Sequence, residues 1–360
     1  MNRTLAVLSA ALLVGVLAGC AQSAPVPAES IAQEPVHITY GVAAAAPGPD
    51  QSPYTSLPIQ LGYWEAEGLE VEVLGFPGSG AAFQALAAGQ IDVAQGPPDP
   101  MFAANAAGSE LIAFYDHVPG NFLMPQVPAG SKITSGADFK GATIGVANLE
   151  AGGVTLVKAM AAKAGLESTD YDIVAIGTGA EAKQHILNGD VDVIALWDAA
   201  YTALDMSLEP IQDDYFESVG FNNAIATTPK MLDEHREALV GLARGVAKAT
   251  LFAHENPEAA VRLHWESYPE SRPVGVEESV AVAKAVAILK ARNANTSAPS
   301  EGWGFSNSET VQRHINMLIE AGVLTSDVAA SDVWDSSLLS DIDDFDEAVV
   351  RAQAKEWTQQ

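Results

Sequence analysis

Gly78-Ser79-Gly80-Ala81-Ala82-Phe83-Gln84-Ala85-Leu86-Ala87-Ala88-Gly89-Gln90-Ile91-Asp92-Val93 returns, loosely, one hundred positions later as Thr178-Gly179-Ala180-Glu181-Ala182-Lys183-Gln184-His185-Ile186-Leu187-Asn188-Gly189-Asp190-Val191-Asp192-Val193. Ala82/Ala182, Gln84/Gln184, Gly89/Gly189, Asp92/Asp192 and Val93/Val193 are identical pairs, and Leu86/Ile186 and Ile91/Val191 are conservative ones. Self-similarity of this kind sets the architecture before any single motif does. Each copy reads as a short helix, a glycine where the helix end wants a left-handed residue, and a short β-branched run suited to a buried parallel strand, Ile91–Ala94 and Val191–Leu196. Asp92 and Asp192 tempt a reading as paired catalytic carboxylates. Their equivalent places in the two copies instead make each a cap at its own strand entry.

Outward from the repeat the two halves keep step. Strands are expected at Val71–Phe76 and Tyr171–Ile176, and before them amphipathic helices, about Ser56–Glu67 and Gly153–Ala164, closed by Gly68 and Gly165. Strands His37–Val42 and Thr143–Val146 come first in each half. Each half is therefore β-α-β-α-β, which implies α/β lobes with parallel strands, helices on both sheet faces and a cleft between them. Beyond them, helical spacing predicts helices at Met231–Ala253, Pro257–Trp265, Val276–Leu289 and Val311–Ile319. The stretch from Ser326 onward, with Asp341, Asp343, Asp344, Asp346 and Glu347, reads as an acidic surface appendage.

Four segments in this order resemble a known family. Leu61-Gly62-Tyr63-Trp64-Glu65-Ala66-Glu67-Gly68-Leu69-Glu70-Val71 is similar to its helix-to-strand segment, and Ala88–Ala94 to its G-x-I-D-x-A element. Asp138-Phe139-Lys140-Gly141-Ala142-Thr143-Ile144-Gly145-Val146 resembles its D-L-K-G-K-x-I-x-V, and Gly189 through Trp197 continues the likeness. The family is that of ABC-transporter solute-binding proteins for nitrate, taurine, aliphatic sulfonates and thiamine-pyrimidine precursors, matched over about residues 36–255. The resemblance implies a type II periplasmic-binding-protein fold, with ligand trapped by hinge closure. Lobe one would be 36–118 plus 220–325 and lobe two 119–219, with crossovers near Asp116–Asn121 and Gly220–Ala224 and an acidic tail at 326–360. It also implies a small-molecule solute, a permease and ATPase as partners, a monomer, no cofactor and no catalysis.

In open α/β sheets ligands lie at the carboxyl ends of the strands. That rule selects the loops Ala43–Tyr54, Gly78–Gly80, Gly96–Asp99, Asn148–Gly153, Gly177–Gly179 and Trp197–Tyr201, joined by the crossover residues. The candidate ligand-binding residues are Tyr54, Ser79, Asp99, Asp116, His117, Gly152, Gly153, Thr178, Trp197, Asp198 and Asn222. Gly152-Gly153 opens a helix whose free N–H groups suit an acceptor, or else makes a plain tight turn. Trp197 and Tyr54 suit stacking on a planar ligand, or else core packing.

Charge then discriminates among solutes. The chain carries a net −28, which argues against nucleic acid as a partner. No Lys or Arg lies between Cys20 and Ser131, and none falls in the selected loops, which hold Asp50, Asp99, Glu150 and Asp198. A sulfonate or nitrate site is expected to bring an Arg or Lys to offset desolvation of the anion. The expected solute is thus neutral or cationic, nitrogen-containing and planar, pyrimidine-like. The alternatives are a sulfonate, taurine, nitrate or aromatic carboxylate held by the Gly152-Gly153 helix terminus, and, in other classes, a relative of the thiamine-pyrimidine-forming enzyme or a ligand sensor. No metal-ligand spacing or catalytic motif appears.

The N-terminus indicates where the protein resides. Arg3 precedes an apolar run, Leu5–Leu17, too short to span a bilayer core of about 30 Å comfortably. Leu17-Ala18-Gly19-Cys20 resembles the lipobox of bacterial lipoproteins, and Cys20 is the sole cysteine. The expectation is a signal peptide at 1–19, lipidation of Cys20, a Pro- and Ala-rich tether at 20–35, and an extracytoplasmic protein held to a bacterial membrane by that lipid alone.

Overall fold

A computed structural model describes residues 34–360, apart from 214, 219, 297–299 and 359–360. The expected signal peptide, the lipidation site Cys20 and nearly all of the tether lie outside the described residues. Two five-stranded sheets organise the rest. The first has the order β2-β1-β3-β10-β4, built from β1 (Val36–Val42), β2 (Leu69–Gly75), β3 (Val93–Gly96), β4 (Ile112–Asp116) and β10 (Ala224–Thr227). The second has the order β7-β6-β8-β5-β9, from β5 (Gln126–Pro128), β6 (Thr143–Val146), β7 (Asp172–Ala175), β8 (Val193–Ala195) and β9 (Leu208–Pro210).

The repeat explains this symmetry. β1 runs parallel to β2 and β3, with Tyr40 opposite Val93, and β6 runs parallel to β7 and β8, with Ile144 opposite Val193. The preceding helices, Ser79–Ala87 and Gly179–Asn188, stop at left-handed glycines, Gly89 at φ 67° and Gly189 at φ 74°. Asp92 Oδ2 accepts hydrogen bonds from the Thr39 amide at 2.8 Å and hydroxyl at 2.6 Å, and Asp192 Oδ2 accepts from the Thr143 amide at 2.9 Å. Each carboxylate ties its own strand to the first strand of its sheet, as the repeat predicts.

Three features depart from expectation. The sheets are mixed, because each takes one antiparallel strand from the chain just after a crossover: β10 between β3 and β4, β5 between β8 and β9. The helix expected at Ser56–Glu67 is two short ones, Ser56–Gln60 and Tyr63–Ala66, separated by Gly62 at φ 69°. The third correction concerns the acidic tail, which is not an appendage. Trp334 bridges to Ala113 beside the first sheet, and the helix Glu347–Glu356 packs on the long helix Arg236–Glu255. Val333, Leu338, Ile342, Val350 and Ala354 are buried there, while the acidic residues take the outer face.

The helices Pro257–Ser267, Glu278–Asn293 and Ser308–Glu320 lie close to their expected places. The long helix is buried along most of its length against Trp64, whose Nε1 donates to the Leu242 carbonyl at 2.9 Å. Gly245 fits there because any Cβ would collide with the Trp64 ring. The first sheet thus carries a thick helical cover.

Candidate functional site

The carboxyl ends of β1, β2 and β3 face those of β6, β7 and β8 across a cavity of about 520 Å³. All six loops selected from the sequence contribute to its walls. The two sides meet directly at its edge: Asn148 Nδ2 donates to the Pro77 carbonyl at 3.0 Å, and a Cβ on Gly78 would stand 2.5 Å from the Glu150 carbonyl oxygen. The two lobes therefore touch at this edge of the cavity.

Of the predicted site residues, Tyr54, Ser79, Gly152, Gly153, Thr178 and Trp197 line this cavity. Gly153 is where the helix Gly152–Lys163 starts against β8, since a Cβ there would sit 2.6 Å from the Ala195 carbonyl oxygen. Ser79 is buried at the head of its helix, and its Oγ has no hydrogen-bond partner. Tyr54, Phe122 and Trp197 supply aromatic faces.

The other five are placed elsewhere. Asp99 stands 3.0 Å from His314 Nε2, beside a separate small pocket of about 30 Å³. Asp116 and His117 are buried off the wall, His117 with its ring 4.5 Å from that of Tyr54. Asn222 donates to the Pro119 carbonyl at 3.0 Å and to Asn121 Oδ1 at 3.3 Å, tying the two crossovers together. Its neighbour Asn223 lines the cavity instead and bonds Gln95. Of the two neighbours in the crossover, Asn222 joins the crossover backbones and Asn223 faces the cavity. Asp198 is fully engaged by a residue the sequence reading did not select.

That residue is Arg292, from the helix Glu278–Asn293. Its Nη2 lies 2.7 Å from Asp198 Oδ1, its Nε lies 3.1 Å from each Asp198 oxygen, and its guanidinium carbon stands 4.5 Å from the Phe122 ring centre. Arg292 is 2% exposed and lines the cavity, which overturns the expectation of a cleft without basic residues. Burial alone would lower its pKa, but Asp198, Tyr54 and Asp50 outweigh that and the net shift is upward. Arg292 and Asp198 make a compensated pair, so the cation adds little net charge to the cavity.

Asp50 and Glu181 are the further acids on the walls. Burial pushes the Asp50 carboxyl up to about 6, against the opposing pull of Arg292. Its Oδ2 is buried without a hydrogen-bond partner. Burial also takes His117 down to about 3 and Asp116 well above its ordinary value. Asp50 lay within a selected loop without being selected, and Glu181 is the residue where the second repeat departs from Ala81 of the first. No Lys or Cys is among the lining residues.

A family model described as NMT1/THI5 like matches residues 57–260. A Brucella abortus (strain 2308) protein, provisionally named as a binding protein, is 23% identical over 217 residues, which cover 58% of this chain and 65% of that protein. The chain thus matches somewhat less than two thirds of that relative's length. A protein of Bordetella bronchiseptica RB50 superposes with a TM-score of 0.68 at 19% identity, over 90% of this chain and 99% of its own. The alkanesulfonate-binding protein SsuA from Xanthomonas axonopodis pv. citri, bound to MOPS, superposes with a TM-score of 0.61 at 18% identity, over 84% of this chain and 99% of its own. These two likenesses establish a shared fold, the two-lobed periplasmic-binding-protein architecture.

Proposed function

Because the chain belongs to the NMT1/THI5-like family, we propose that it is the extracytoplasmic solute-binding protein of an ABC importer, held to its membrane through lipid on Cys20. The observation that carries this reading is the cavity of about 520 Å³, whose walls come from both lobes and which is the right size for a small molecule. No helix among the described residues is long and apolar enough to cross a membrane. The lipobox-like Leu17-Ala18-Gly19-Cys20 supports anchoring by lipid instead. The absence of Lys and Cys from the lining supports binding over pyridoxal- or thiolate-based chemistry, since neither nucleophile is at hand.

The solute we propose is a neutral or cationic, planar, nitrogen-containing molecule of the aminopyrimidine kind. Tyr54, Phe122 and Trp197 offer stacking faces, and Asp50 Oδ2 offers an acceptor without a hydrogen-bond partner in the protein. A second reading, an organic sulfonate or carboxylate, is favoured by Arg292 and by the Gly152-Gly153 helix terminus. The first ranks higher because Asp198 already claims the guanidinium. Calorimetry on the purified protein with aminopyrimidines, amines, taurine and aromatic acids separates them. Heterocycles and amines should bind; tight taurine binding with no heterocycle binding would overturn the assignment.

A further inference from the structure

Two carboxylates face Arg292, and they belong to opposite lobes. Asp198 heads the helix that follows β8 of the second sheet, and Asn295 Nδ2 donates to its Oδ2 at 2.8 Å beside the guanidinium. Asp50 sits in the 3₁₀ turn Pro49–Tyr54 after β1 of the first sheet, with its Oδ2 3.6 Å from Nη2, outside hydrogen-bond reach. That turn packs against Arg236–Glu255, Pro257–Ser267 and the Arg292 helix, and the Arg292 helix also packs against the helix that carries Asp198, so the guanidinium sits where the two lobes meet, with Asp50 on the side of the first sheet. Asp198 is on the side of the second. A buried guanidinium stripped of its carboxylate is strongly disfavoured, and when the lobes part Asp50 is the carboxylate left beside it.

We propose that Arg292 exchanges counterions: it pairs with Asp50 while the cleft is open and passes to Asp198 on closure, which frees Asp50 Oδ2 to accept an N–H donor from the enclosed solute. This rests on the proposed trapping of a solute between the lobes, and it makes Asp50 the residue that couples solute chemistry to closure. A solute without a donor facing Asp50 leaves Oδ2 buried without a hydrogen bond, as it is in this structure, with only the more distant Arg292 at 3.6 Å to offset its charge. Asp198 and Asn295 act as the latch, and Asp50 sets which solutes can close it.

The test uses small-angle scattering of the full-length protein without added solute, and calorimetry with 4-aminopyrimidine and taurine as probes. Asp198→Asn should shift the solute-free scattering toward the extended form, and Asp50→Asn toward the compact form. In an Arg292→Gln background neither substitution should move the curve further, because no cation remains to exchange. Asp50→Asn should weaken 4-aminopyrimidine about tenfold, the size of a lost charge-assisted hydrogen bond. Unchanged scattering in Asp50→Asn, or shifts that persist in the Arg292→Gln background, would overturn the exchange. If neither probe binds the parent protein, the solute assignment fails while the scattering arms still decide the exchange.

Discussion

The two sheets share a strand order, but the lobes built on them bring different chemistry to the cavity. The second sheet's side brings glycine-rich helix starts, Gly152, Gly153 and Gly177, to the wall together with Phe122 and Trp197. The first sheet's side holds buried side chains short of their hydrogen bonds, Asp50 and Ser79 on the wall itself and others behind it. Tyr40, Asp50, Ser79, Asp116 and His117 all carry buried polar atoms without partners, and among the described residues none between 119 and 219 does. Unpaired buried polar groups are costly, so they persist only where the surroundings are rigid enough to hold them. The long helix Arg236–Glu255 and the tail supply that rigidity on the side of the first sheet. The second has a small core cluster of its own around Ile176, Ile186 and Leu204.

The repeat offers a controlled way to test that contrast, because Leu86 and Ile186 occupy equivalent positions. Leu86 is 1% exposed within the large core, and Ile186 is 6% exposed within the small cluster. Leu86→Ala should cost about 4 kcal/mol, since its rigid surroundings collapse little around the void, and Ile186→Ala about 2 kcal/mol. Denaturant unfolding of both variants measures the difference. Equal losses would mean that the second lobe is packed as firmly as the first.

The same contrast explains how much was legible in the sequence. The repeat elements could be read because each is local: a helical stripe, a glycine with positive φ and a β-branched run lie within sixteen residues. β5 and β10 could not, because strands of three and four residues owe their existence to partners far away in the chain. The tail misled because its acidic residues are contiguous in sequence, whereas the buried stripe of Val333, Leu338, Ile342 and Val350 is spread across short helices. At the cavity, all six loops chosen by the strand-end rule are on the walls, but Phe122 and Leu123, just past the first crossover, were not among them. The rule could not find Arg292, which enters from a helix that follows neither sheet's strands and lies beyond the family resemblance.

A smaller effect isolates the unpaired carboxyl of the first lobe. Burial raises Asp50 from 3.8 to about 6, so between these values the folded chain binds more protons than the unfolded chain. Stability contributed by the protonated group is complete below the lower value and is lost as pH rises through about 6, a change of up to about 3 kcal/mol. His117 runs the opposite way: lowered from 6.5 to about 3, it costs stability as pH falls through that range. The parent protein's slope is therefore a difference, and Asp50→Asn isolates one part of it. Subtracting the variant's unfolding free energy from the parent's, from pH 4 to 7, should give a quantity that falls with pH. A flat difference would place Asp50 in water rather than in the buried wall.

The smallest expected effect comes from the paired strand-entry carboxylates, which make the same connection in both lobes but at unequal depth. Asp92 Oδ2 takes two hydrogen bonds from Thr39 in a half-buried setting, and Asp192 Oδ2 takes one from the Thr143 amide at an exposed edge. Asp92→Ala leaves both the amide and the hydroxyl proton of Thr39 seeking acceptors; the Asp92 backbone amide, 3.0 Å from Oγ1, only donates to it, but the hydroxyl can turn toward another acceptor. The amide is the main loss, with a desolvation cost that water cannot fully relieve. About 2 kcal/mol is expected for Asp92→Ala and about 1 kcal/mol or less for Asp192→Ala, where water reaches the freed amide. Thermal unfolding of the two variants and of their double mutant should show the losses adding, because the sites lie in separate sheets. If Asp192→Ala costs as much as Asp92→Ala, the equivalence written in the repeat outweighs the difference in burial, and the asymmetry of the lobes is confined to the cavity itself.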